Sequence, residues 1–271
     1  MVGLFKRLMG TGLEALFPFR CIACQRLYRR DPPLRSRPEG DFSHQSFKNL
    51  MSAYLCPSCG ERFQPIISPL CTHCGQPFVS RHGPDHVCGS CQRQPFRFQK
   101  ARSAGLYQDV LRTLIHHYKY HGRVQLAGPL GGLLWQVFVA HWEPRQIDYI
   151  VPVPLHKKRL RGRGFNQAHL LVQSWPQLTG AREAGIERGR IAAHLLERCR
   201  ATAPQTGLNR HQREANVRQA FRLTRKQHVR GRHFLLVDDV LTTGATADAC
   251  ARILLASGAA SVQVLTLARA V

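Results

Sequence analysis

From about Phe98 onward the chain shows two hydrophobic periods in turn. Short apolar runs, of the kind that make strands buried on both faces, are separated by stretches where apolar residues recur every three or four positions. Ala101–Tyr107 reads as a strand, leading into a helix with Val110, Leu111, Leu114, Ile115 and Tyr118 at helical spacing. A second helix runs through Leu126–Phe138, Ile147–Val153 is the next strand, and Phe165–Trp175 the next helix. Ile191–Arg198 reads as another strand, followed by a polar stretch to about Gln219. His233–Val237, a helix from Ala245 to Ser257 and the strand Ser261–Leu267 complete the pattern. Strand alternating with helix predicts an α/β fold, a mostly parallel sheet with helices on both faces, over residues 98–271. At the other end, Leu4, Phe5, Leu8, Leu13, Leu16 and Phe17 fall mostly on one face of a short amphipathic helix at residues 1–17. A helix of that kind is expected to pack on its own protein rather than on a membrane.

Composition adds one anomaly. Among 271 residues, 39 are Lys or Arg and 16 are Asp or Glu, a formal charge of +23. Such a field favours polyanions: nucleic acid, phosphorylated metabolites or an anionic surface. Secretion is not indicated, because Glu14 and two glycines interrupt the first apolar stretch and no small-residue cleavage site follows. The longest uncharged run, Leu126 to His141, is too short and glycine-rich for an integral membrane span. A soluble, cytoplasmic protein is expected.

Residues 18–97 are dominated by cysteine. Eight of the ten cysteines form four Cys-x-x-Cys pairs: Cys21/Cys24, Cys56/Cys59, Cys71/Cys74 and Cys88/Cys91. A two-residue gap lets both sulfurs turn toward one tetrahedral metal, and reduced cytosolic thiols make disulfides the poorer reading. Eight thiolates suffice for two closed structural zinc sites, a double zinc ribbon. Sequential pairing joins the first two pairs and the last two, whereas a rival arrangement joins the two inner pairs. The sequential one is preferred, since Cys71 to Cys91 has a compact ribbon spacing. An insert at 25–55, rich in arginine, proline and serine, reads as a flexible loop. His73 or His86 could replace a cysteine as ligand, but both read rather as surface residues, and Cys250 as core.

The stretch with most chemistry is Phe234–Cys250, FLLVDDVLTTGATADAC. An apolar strand ends at Asp238 and Asp239, where open α/β sheets bind ligands. Thr242, Thr243, Gly244, Ala245 and Thr246 then offer hydroxyls and backbone N–H groups at a helix start, which suits a phosphate. Either half alone is commonly a solvated turn or a plain N-cap. Their conjunction describes a ribose phosphate site. Val151–Gln167, VPVPLHKKRLRGRGFNQ, ends a strand at paired prolines and opens into five cations. It reads as a basic loop suited to a diphosphate, although such loops are often merely solvated. Thr202–Phe221 is polar, basic and long enough to be a lid or a plain surface loop.

These segments together resemble the ComF family, which includes the GntX-type proteins. The resemblance rests on the four cysteine pairs, YKYHG at Tyr118–Gly122, VPVPLH with RGFNQA, QTGLNRHQREANVRQAF and LLVDDVLTTGAT. The last looks like the phosphoribosyl-pyrophosphate (PRPP) motif of type I phosphoribosyltransferases. The resemblance implies a type I phosphoribosyltransferase-like fold that binds PRPP with magnesium. It implies that Asp238 and Asp239 contact the ribose hydroxyls and that Thr242 to Thr246 hold the 5′-phosphate. Val153 and Pro154, with Arg159 and Arg163 after them, would match the pyrophosphate loop. Gln205, Thr206, Gly207, Arg210, Arg213 and Asn216 would belong to a flexible loop. The family is linked to natural transformation, competence and use of external DNA. Two readings follow: a pentosyl transferase with an undetermined acceptor, or a non-catalytic PRPP-sensing adaptor. In the second, zinc ribbons and basic surface would engage single-stranded DNA or a helicase-like competence partner.

Overall fold

The structure is a computed structural model that describes residues 18–30, 44–80, 82–178, 180–200, 220–224 and 228–271. The amphipathic helix expected at 1–17 lies outside the described residues, as do Gln205, Thr206, Gly207, Arg210, Arg213 and Asn216. In the front of the chain β1 (Phe19–Arg20) and β2 (Leu27–Tyr28) pair antiparallel. They are followed by α1 (His44–Met51), α2 (Pro57–Gly60) and α3 (Gly89–Arg93). The body begins with β3 (Lys100–Leu106), α4 (Asp109–Tyr120), α5 (Ala127–His141) and β4 (Tyr149–Pro152). Next come α6 (Lys157–Arg163), α7 (Gln167–Gln173), β5 (Leu196–Arg198) and β6 (Phe221–Leu223). It closes with β7 (His233–Leu241), α8 (Ala245–Ala256) and β8 (Ser261–Arg269).

Four strands form one parallel sheet in the order β3-β8-β7-β4. Successive side chains of a strand point to opposite faces, so the apolar run of β7 serves two cores. Leu235 and Val237 pack with Leu114, Leu130 and Leu171 of α4, α5 and α7. Phe234 and Leu236 pack with Ala247, Ala251 and Leu254 of α8. The sheet is therefore covered on both sides, which explains why its strands read as unbroken apolar runs.

Three expectations change. Part of the insert at 25–55 is helix: in α1, Phe47 and Met51 lie one turn apart and are fully buried, and the Phe47 ring stacks on Phe63 at 3.9 Å. The basic loop after Pro154 is mostly α6. The His156 ring nitrogen accepts from Lys158 N–H (3.2 Å), and Gly164 ends the helix at φ +81°. The strand expected at Ile191–Arg198 survives only as β5, which leaves the main sheet to pair antiparallel with β6. Ile191 merely bridges Ile150.

The outer edge of β3 is occupied by the front of the chain. Ile66 N–H donates to Ala104 O (3.3 Å) and Leu106 N–H to Gln64 O (2.9 Å), around a bridge between Pro65 and Gly105. Gly105 permits this approach, since a Cβ there would lie 2.6 Å from the Phe63 ring. No helix among the described residues is long and apolar enough to cross a membrane.

Candidate functional site

The eight paired cysteines gather into two sets, Cys21, Cys24, Cys56 and Cys59, and Cys71, Cys74, Cys88 and Cys91, with the Sγ atoms of each within 4.8 Å of one another. Sequential pairing is therefore the one that the fold adopts. Both sets are built alike. In the first, Cys21 N–H donates to Arg26 O (2.9 Å) and Gln25 N–H to Cys21 O (2.9 Å); in the second, Cys71 pairs with Gln76 O (2.8 Å) and Gly75 with Cys71 O (2.9 Å). The residue after each knuckle is left-handed, Gln25 at φ +62° and Gly75 at φ +68°. Cys56 and Cys88 each open a short helix. A zinc ion with four sulfurs at about 2.3 Å requires S···S edges of about 3.8 Å. The Cys24–Cys56 and Cys74–Cys88 sulfurs stand 3.7 and 3.9 Å apart, which fits two zinc sites. His73 and His86 belong to neither set. His73 Nε2 bonds the Phe98 carbonyl (2.6 Å), while His86 stacks on Phe78.

A cleft of about 570 Å³ opens at the carboxyl end of the sheet. Its walls include Val153, Pro154, Arg159 and Arg163 on one side, and Asp238, Asp239, Thr242, Gly244, Ala245 and Thr246 on the other. Of the five cations at Lys157–Arg163, only Arg159 and Arg163 line it. Lys157 instead pairs with Glu197 (3.4 Å). Thr243 stands outside the wall, its Oγ1 accepting from Ala245 N–H at 3.5 Å. Gly244 is left-handed at φ +81° and hands the chain into α8, whose first N–H groups have no intrahelical acceptor. On the opposite wall, Asn166 ties the loop to the sheet by donating from Nδ2 to Val153 O (3.2 Å) while capping α7.

The acidic pair lies within β7 rather than beyond it, with Asp238 in register with Thr266. Alternation sends the two carboxylates to opposite layers. Asp239, 9% exposed, reaches toward α4 and meets Lys119 Nζ at 2.7 Å. Burial works against the Lys119 ammonium, but the paired carboxylate outweighs it and holds the lysine above its usual range. Asp238 is partly exposed and lines the cleft. Burial and the neighbouring Asp239 push its carboxyl up to about 7, against Lys119 and Arg198. With four cations and two carboxylates in its lining, the cleft suits an anionic ligand that also carries hydroxyls.

Lys119, Arg198 and Gln167 line the cleft without having been singled out individually as site residues in the sequence. Lys119, in the YKYHG stretch, looks like part of a basic solvated face until α4 brings it onto Asp239. Arg198, 6% exposed, stacks its guanidinium over Phe221 at 5.2 Å at the base of the small β5–β6 sheet. Gln167, 1% exposed, has both side-chain amide atoms without a protein partner. A buried amide of this kind calls for a water or a ligand group as its partner. Beside them Tyr120 stands exposed at the rim under Arg163, 4.8 Å away.

Comparison with known proteins agrees with both halves. Residues 49–92 match the double zinc ribbon domain, and residues 182–270 match the phosphoribosyl transferase domain. The chain is 37% identical over 221 residues to the DNA utilization protein YhgH of Escherichia coli K12, covering 79% of this chain and 90% of that one. Competence protein F of Haemophilus influenzae is 30% identical over 225 residues, covering 80% and 90% of the two chains. The chain belongs to the ComF family. Competence protein ComFC of Bacillus subtilis is 29% identical over 229 residues, covering 79% and 84%. This ComF protein thus joins a double zinc ribbon to a phosphoribosyltransferase-like body.

Proposed function

We propose that this protein binds PRPP in the cleft and transfers its phosphoribosyl group, in a process that uses external DNA. The observation that carries the reading is the junction of Asp238 and Asp239 with the Thr242–Thr246 turn, facing Arg159 and Arg163 across one cleft. The turn and the start of α8 would hold the 5′-phosphate, and the two carboxylates the ribose hydroxyls. Lys119 holds the Asp239 carboxylate in place. As the bond from the anomeric carbon to diphosphate breaks and the acceptor lone pair forms its replacement, negative charge passes to the leaving group, where Arg159 and Arg163 would receive it. Positioning supplies the rest, so no nucleophilic side chain is needed. Protein oxygens for magnesium are few, because Asp239 is held by Lys119 and Asp238 Oδ1 accepts from Asp239 N–H (2.8 Å). The ion fits here as one brought by the diphosphate, whose charge it would neutralise.

The words DNA utilization and competence in the relatives' names, and the charge of +23, support single-stranded DNA or a helicase-like competence protein as a further partner in the cytoplasm, where the eight thiols would stay reduced. The test is isothermal titration with PRPP and magnesium, followed by a pyrophosphate-release screen over nucleobases, ammonia and single-stranded DNA. Binding is expected in the wild type and lost in Asp238→Asn/Asp239→Asn. Absence of PRPP binding, or equal binding by the double variant, would sink the proposal.

A further inference from the structure

The turn after β7 is fastened to the second cysteine site from several sides. Arg269, at the end of β8, is 6% exposed. Its Nη1 donates to Thr242 O at 2.6 Å and Leu241 O at 3.4 Å, and its Nη2 donates to Cys74 Sγ at 3.9 Å. One guanidinium therefore spans from a metal-ligating sulfur to the carbonyls that shape the turn. Phe96 backs the same turn: a Cβ on Gly244 would fall 2.6 Å from its ring. Phe96 also stacks on Phe98 at 4.7 Å and meets the ring of His73, which lies between Cys71 and Cys74. Arg97 N–H donates to the Asp248 carboxylate in the first turn of α8.

Charge gives the arrangement its direction. Four thiolates around a divalent ion leave a formal charge of about −2, and a buried charge must be balanced nearby. Two of the three buried arginines among the described residues, Arg102 and Arg269, lie beside the second cysteine set. Arg102 donates to Thr72 O (3.1 Å), inside the knuckle. The third, Arg198, lines the cleft, so the first cysteine set has no counterpart. Without the thiolate, Arg269 is a buried cation facing neutral carbonyls, with its Nε unpartnered. The fork then keeps its Nη1 carbonyl contacts but loses the ionic partner that fixes Nη2.

We infer that Arg269 is a positioning residue for the phosphate-binding turn, and that the second four-cysteine site sets its position. The ligand side of this inference rests on the phosphate reading of the turn, while its geometric side does not. The full-length chain is compared as wild type, Arg269→Gln, Arg269→Lys, Cys74→Ser and Cys24→Ser, with zinc content measured for each. Hydrogen exchange of the 243–248 amides is read without ligand, and binding is titrated with ribose 5-phosphate and, separately, with pyrophosphate.

In Arg269→Gln, with both zinc ions retained, these amides exchange about tenfold faster and ribose 5-phosphate binds about tenfold more weakly, the scale of one charge-assisted hydrogen bond. Pyrophosphate, held at the opposite wall, binds as before. Cys74→Ser reproduces this pattern, whereas Cys24→Ser leaves the turn at wild-type exchange. Arg269→Lys keeps the charge without the fork and falls between, and it decides the matter if the glutamine variant does not fold. Wild-type exchange in the Arg269 variants, or parallel loss of both probes, overturns the inference. If the wild type binds neither probe, the PRPP reading falls, and the exchange difference still decides the coupling.

Discussion

Asp238 is the residue whose surroundings ask most of it. Its carboxyl is pushed from the ordinary carboxylate range up to about 7 by burial and by Asp239. A folded-state pKa above the unfolded value means that its contribution to stability is full below pH 4 and is lost as pH rises toward 7. Replacing it by asparagine removes that loss. The melting temperature of Asp238→Asn relative to wild type is expected to rise between pH 5 and 8 by about 5 °C, on the order of 2 kcal/mol. His141 works the other way: burial, Arg102 and Lys100 push it down to about 4, so it adds stability as pH rises toward 6.5. Only the difference between variant and wild type therefore reports Asp238, and a pH-independent difference would refute the account. At this scale the sequence was informative about type and silent about partners. The two acids were visible beside the turn they serve. Lys119, more than a hundred residues away, was not, because an ion pair across a fold leaves no local pattern.

Elements show where periodicity suffices. The helices at Asp109–Tyr120 and Ala245–Ala256 and the strands at Lys100–Leu106 and Ser261–Arg269 were all legible from apolar spacing. α6 was not, since its seven residues bury none of their side chains and it is capped by a histidine ring. α1 was hidden because one buried pair, Phe47 and Met51, is too short a signal amid polar neighbours. Packing detail is also unreadable from spacing, and α5 supplies a test. Gly131 and Gly132 are adjacent in the same helix, and alanine at either gains about 1 kcal/mol of helix propensity. At Gly131 a Cβ would lie 2.3 Å from the Leu171 carbonyl oxygen, a backbone atom of α7 that cannot step aside. Overpacking of about 1–3 kcal/mol, with disturbance of the Trp175 Nε1 bond to Gly131 O (3.0 Å), outweighs the gain. At Gly132 the neighbour is only the Leu50 Cδ2 methyl at 3.3 Å. Thermal melts should show Gly131→Ala destabilised and Gly132→Ala neutral or better. Equal shifts would mean that α5 and α7 can separate freely.

For the molecule as a whole, one of the two cores runs through both the front and the body. Cys21, Phe47, Met51 and Phe63 belong to the same buried cluster as Leu111, Leu114 and Leu265. Composition changes sharply near Phe98 and made the two parts look separable; it could not show that Phe63 reaches Gly105. Calorimetry of the zinc-loaded protein is accordingly expected to give one cooperative transition, and an earlier, separate melting of the front would contradict it. The strand order β3-β8-β7-β4 has a further consequence, for the order of events during synthesis. The two strands at the centre of the sheet are the last two made, and β3 waits some 150 residues for its inner partner. Its outer partner, Gln64–Ile66, has left the ribosome before β3 itself. The ribbon segment is thus a companion made in advance for a strand edge that would otherwise stand open to neighbouring nascent chains.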